Sequence, residues 1–146
     1  MPTAGRLMAS ILFAALSAYV TLLAMSYIPE GSYMHGVPYG NALIGFVCGW
    51  RGAAVGPEAT PSRGVVAGLT TVCAIAFWAL LIHSGARMID FAMRGRYGGV
   101  TEGFIDTFQI MYDYARETAH TDVVTWALGG ALFVGIVSAG ADRRWT

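Results

Sequence analysis

VVAGLTTVCAIAFWALLIHSGA, residues Val65 to Ala86, carries no charge between Arg63 and Arg87. At 1.5 Å rise per residue, a helix of that length is about 30 Å long, the thickness of a bilayer's hydrocarbon core. Comparable apolar runs extend from Leu7 to Ile28 and from Val123 to Ala141. Three such runs in one short chain exclude the reading of a single deeply buried core helix and point to a polytopic membrane protein.

Composition agrees. Of 146 residues 55% are hydrophobic and only 12% charged, whereas a soluble domain carries about a quarter charged residues and coats itself with them. Net charge is zero, every basic residue is Arg, and no basic stripe alternates with aromatics, so nucleic acid is not an expected partner. The two cysteines, Cys48 and Cys73, fall inside apolar stretches, where a thiol acts as a small hydrophobe. Neither a disulfide framework nor zinc-ligand spacing is present.

Working outward, the first span is expected at about 7–28, closed by Pro29, and is read as a retained anchor rather than a cleaved signal because its apolar stretch exceeds an h-region. Tyr33, His35, Pro38 and Tyr39 follow as an aromatic-rich connection of the kind found at headgroup depth. The second span, about 39–55, is short and interrupted by Arg51, which would cost roughly 2.5 to 3.5 kcal/mol at a helix centre and less near its end. Trp50 and Arg51 are therefore expected at an interface, with a re-entrant hairpin as the competing geometry. Gly45 with Gly49, and Gly52 with Gly56, form small-xxx-small pairs that let another helix approach closely. The third span, about 64–86, follows a Gly/Pro loop in which Ser62 is the expected N-cap. It is expected to continue past Ala86, with Asp90 and Arg94 paired at i, i+4, until Gly95, Gly98 and Gly99 break it.

From about 101 to 118 the pattern becomes amphipathic. Phe104, Ile105, Phe108, Met111, Tyr112 and Ala115 recur at helical spacing, while Glu102, Asp106, Asp113 and Glu117 share the other side. A surface helix along the membrane is expected there, its acidic face favouring docking on the spans or on a partner over anionic lipid. The last span, about 122–141, is introduced by His120-Thr121-Asp122 and contains Gly129 and Gly130 as further packing candidates. The expected fold is thus all-α: four transmembrane helices and one amphipathic surface helix in a single membrane domain. With the N-terminus in the cytoplasm, Arg6, Arg51, Arg63, Arg143 and Arg144 fall inside and Arg87, Arg94, Arg96 and Arg116 outside.

Chemistry is sparse. His83 is the one histidine within a span, where an ionisable group is a functional candidate, as a ligand or as a group satisfied at the interface. Arg51 beside Trp50 offers a guanidinium for an anion, a headgroup or a partner carboxylate, or simply snorkels. No HxxxH, CxxC or MxxxM occurs, and no catalytic residues, bound metal or cofactor are expected.

Met1-Pro2-Thr3-Ala4 with Arg6-Leu7, Pro29-Glu30-Gly31, Asn41-Ala42 with Ile44-Gly45, Gly49-Trp50-Arg51, Phe77-Trp78-Ala79-Leu80-Leu81, Arg94 to Tyr97 and Arg143-Arg144-Trp145 together resemble the TrgA family of alphaproteobacterial membrane proteins. The resemblance spans nearly the whole chain. It implies a small inner-membrane protein associated with tellurite resistance, and it transfers no catalytic residue. Beyond the bilayer, the expected partner is another membrane protein or a second copy. The competing class is an accessory transmembrane subunit of a larger respiratory or photosynthetic complex, packed through its glycine faces.

Overall fold

A computed structural model describes residues 4–27, 36–52 and 60–144. All regular structure among them is helical: α1 (Ala4–Met25), α2 (Val37–Gly52), α3 (Pro61–Met93), α4 (Val100–Thr118) and α5 (Thr121–Arg144). Three of these, α1, α3 and α5, are long and apolar enough to cross a membrane. α2 has 16 residues in its described part, about 24 Å at helical rise. Ala53 to Val55, the expected end of the second span, and Gly56 lie outside the described residues.

The starts and stops follow local chemistry. α3 begins not after Ser62 but two residues earlier, because Thr60 is extended and its Oγ1 accepts from the Arg63 N–H at 3.4 Å. Pro61 then occupies the first helical position, where a missing N–H costs nothing. α3 runs 33 residues, about 50 Å, so it outlasts the hydrocarbon core by several turns. It ends in a Schellman motif: the Gly95 N–H donates to Ala92 O at 3.0 Å and the Arg96 N–H to Phe91 O at 3.2 Å, with Gly95 at φ +71°, a conformation that favours glycine. On the exposed last turns Arg94 pairs with Asp90 at 3.1 Å. Arg87 and Arg96 sit over the Phe91 ring at 4.8 and 4.4 Å.

α1, α2, α3 and α5 form a closed ring in which each packs on two neighbours, while α4 packs on α3. The register is antiparallel around the ring. Asn41 meets Ser17 and Thr21, a Cβ on Gly45 would strike Phe13 O, and one on Gly49 would strike Ala9 O. α2 therefore descends past α1 as one continuous helix. On the opposite side of the ring, Gly68 lies against Ala131 and Gly64 against Gly135 and Ala139. Ala9, Phe13, Ile75, Ala131 and Val134 form the buried centre, with Leu16, Ile44, Cys48 and Leu69 packed around it. Many other large apolar side chains, among them Ile11, Leu22, Phe77, Trp78 and Phe133, point outward, as they do when the surrounding solvent is lipid.

Candidate functional site: a polar junction between three helices

Within this apolar ring one group of polar side chains joins α1, α2 and α3. The Thr21 hydroxyl donates to Ser17 O one turn earlier at 2.7 Å, so its oxygen is left to accept, and it accepts from Asn41 Nδ2 at 2.9 Å. The Asn41 Oδ1 consequently faces His83 Nε2 at 2.9 Å. Because an amide oxygen only accepts, the imidazole must carry its proton on Nε2. Ser17 closes the junction by donating to Asn41 O at 2.7 Å. Asn41, Ser17 and Thr21 are buried and His83 is half-buried.

His83 therefore does not meet its polar demand at a helix end. α3 continues ten residues beyond it, and its partner is an asparagine on another helix. What the residue pattern left unremarked is Asn41. It stands one turn before Gly45 and two before Gly49, so the same face of α2 that admits the α1 backbone also delivers the amide. That four-residue spacing is the signal that would have found it.

Other expected residues fall as follows. Gly45 and Gly49 lie against the α1 backbone and Gly52 against Thr71 of α3; a Cβ on Gly130 would meet Leu16, whereas Gly129 faces open space. The closest backbone approach belongs to Gly64 and Gly68 on α3, facing the small residues Ala131, Gly135 and Ala139 on α5. Both sets repeat at i+4, a pattern visible in the chain but hidden inside long apolar runs. Trp50 stacks on Phe46 with centroids 6.3 Å apart, and Arg51 is exposed at the end of α2. Cys48 packs against the ring's centre and Cys73 is exposed; both are free thiols.

A second polar cluster closes the end of the ring where α1 finishes. The Tyr27 hydroxyl donates to Asp122 Oδ2 at 2.7 Å, and its ring stacks on His120 at 4.1 Å. That hydrogen bond first, then desolvation and the negative charge of Asp122, raise the Tyr27 phenol above its ordinary value. At the α3–α4 turn, Tyr97 donates to Asp106, and Glu102 accepts from the Gly98 N–H at 2.8 Å. An open cleft of about 250 Å³ lies between the α3–α4 turn and α4, lined by Arg96, Tyr97, Glu102 and Asp106 among others.

Chemically, the three-helix junction can hold helices in register. It brings together one imidazole, one amide and two hydroxyls with their hydrogen-bonding groups turned on each other. Among the described residues no three His, Cys, Asp or Glu side chains gather as a metal-holding group. Comparisons of the chain with family models, curated proteins and solved structures found no match. The class defined by the fold is a multi-pass helical membrane bundle.

Proposed function

We propose that this chain is a small, non-catalytic, TrgA-like protein of a bacterial cytoplasmic membrane, crossing it four times, carrying one amphipathic surface helix and contributing to tellurite resistance. The observation that carries the membrane part is the outward display of large apolar side chains around a ring whose Thr21, Asn41 and His83 side chains bond to one another inside it. Four crossings are supported by the register of α2, which passes α1 from the level of Thr21 to that of Ala9 without reversing. A cytoplasmic N-terminus is supported by charge: the register gathers Arg6, Arg51, Arg63, Arg143 and Arg144 at one end of the ring. Among the described residues the other end mixes Arg87, Arg94, Arg96 and Arg116 with six carboxylates.

The link to tellurite rests on the resemblance of the chain's short motifs to the TrgA family. A resistance role without catalysis is supported by the junction at His83, whose groups are engaged with one another. Deleting the gene should lower the tellurite concentration that the host survives, and the intact gene should restore it. Unchanged tolerance in the deletion strain would end the proposal.

A second reading, an accessory subunit of a larger respiratory or photosynthetic complex, is favoured by one observation. Gly129 and Gly140 face open space on the outside of α5, leaving bare backbone for another helix. Native electrophoresis of mild-detergent extracts separates the two readings. Migration with a large pigmented or haem-bearing complex supports the subunit, and a free monomer or small homo-oligomer excludes it.

A further inference from the structure

The two buried residues of α4 are small ones, with Ile110, Met111 and Tyr114 half-buried beside them. Gly103 is buried against Met88 and Tyr97, and Thr107 is buried one turn on. Phe104, Ile105, Phe108 and Tyr112 are left between 53% and 66% exposed, with Phe104 and Phe108 in edge-to-face contact at 5.2 Å. At about 100° per residue, Phe104 and Phe108 lie on one flank of the Gly103–Thr107 contact, with Tyr112 and Ile105 nearly opposite it and Ile105 bordering the polar cleft. Glu102, Asp106, Asp113 and Glu117 lie on the other flank.

The height of α4 relative to the bilayer follows from its two ends. Gly103 touches Met88, five residues and about 7 Å beyond the junction at His83. After α4, His120 stacks on Tyr27, six residues and about 9 Å beyond the junction at Thr21. Both ends thus stand on the same side of the junction, at the level where α1 finishes and α5 begins. α1 is 22 residues long, about 33 Å, so that level is the edge of the hydrocarbon core.

We infer that the Phe104, Ile105, Phe108 and Tyr112 ridge is embedded in the interfacial layer of an uncharged phospholipid surface, with the acidic flank turned to water. Ile89 and Met93 on the last turns of α3 are exposed apolar residues as well. Aromatic rings suit the boundary between acyl chains and headgroups. Charge on the helix favours an uncharged lipid: Arg116 is its one cation against four carboxylates, so α4 itself offers anionic headgroups no net attraction. Burial of the rings drives the docking.

The inference rests on the membrane reading above, and the experiment separates the two. In the full chain with Cys48→Ala and Cys73→Ala, spin labels are placed singly at F108C, D113C and F77C, and the protein is reconstituted in phosphatidylcholine vesicles. Collision with oxygen, which partitions into lipid, is compared with collision with a water-soluble nickel chelate. The label at position 108 should show an oxygen-to-nickel ratio several-fold above that at 113 and close to that at 77. Phosphatidylglycerol should not deepen it. Position 108 as wet as 113, with 77 in lipid, overturns the inference alone. Position 108 shielded from both reagents means a protein occupant and also overturns it. Deeper burial on adding anionic lipid, reversed by salt, overturns the assignment to uncharged lipid. Position 77 in water overturns the membrane reading itself.

Discussion

His83 Nε2 stands 2.9 Å from Asn41 Oδ1, a contact between residues 42 apart in the chain that ties α3 to α2. Interhelical hydrogen bonds in membranes average about 0.6 kcal/mol and reach about 1.7. Asn41→Ala removes bonds to both His83 and Thr21, and should lower stability by about 1 to 2 kcal/mol in reversible denaturation in mixed micelles. His83→Ala should cost less. The double variant should cost less than the sum, because both changes remove the same bond. Full additivity would show that the pair is not coupled.

Gly68 and Gly129 provide a paired test of helix contact. A Cβ on Gly68 would lie 2.2 Å from Ala131 O, a backbone atom that cannot move aside, whereas one on Gly129 meets nothing within 4 Å. Gly68→Ala should destabilise by about 1 to 3 kcal/mol through overpacking. Gly129→Ala should be neutral or stabilising by up to about 1 kcal/mol, through helix propensity. The same denaturation assay reads both, and equal effects would contradict the α3–α5 contact.

The long apolar helices and the amphipathic one are legible from hydrophobic runs and periodicity alone, because lipid or half-lipid surroundings impose a pattern on nearly every residue. α3 is also readable past its apolar part, through the Asp90 and Arg94 pair and the glycine at position 95. The junction is legible only in halves. His83 stands out as an ionisable group in an apolar run, but Asn41 near the start of a short helix carries no such signal until its partners, 20 and 42 residues away, are brought to it. Ser62 looks like the cap of α3 because it is polar and adjoins Arg63. Thr60 takes that role because Pro61 is better placed inside the helix than before it. The amphipathic pattern of α4 identifies two faces, yet not that Gly103 between them carries the packing.

Tyr27 and Asp122 make a pH-dependent clasp between α1 and α5. The phenol's pKa is raised in the fold above the ordinary 10.0, so the protonated, donating form is the one the fold favours. Its contribution is fully present below about pH 10 and is lost as pH rises through the elevated value. Ultraviolet titration of tyrosinate should therefore lose a component above pH 10 in Tyr27→Phe relative to the parent chain. A missing component at or below pH 10 would show that Asp122 does not hold the hydroxyl.

Crossing number is read by single-cysteine labelling in spheroplasts. Probes replacing Tyr33 and Thr101 should react with an impermeant maleimide from outside, and a probe replacing Glu58 only after the membrane is opened. Tyr33 and Glu58 on one side would replace four crossings by three and a re-entrant segment.

The ring of helices has an order of completion. Asn41 finds Thr21 and His83 as soon as α3 exists, so the first three helices can shelter their own amides and hydroxyls while the ribosome is still at work. Gly64 and Gly68, by contrast, present bare backbone that α5, which follows them by more than fifty residues in the chain, covers. A nascent chain stalled after α4 would carry an open seam along one side, recognisable to membrane quality control, and arrival of α5 would close it.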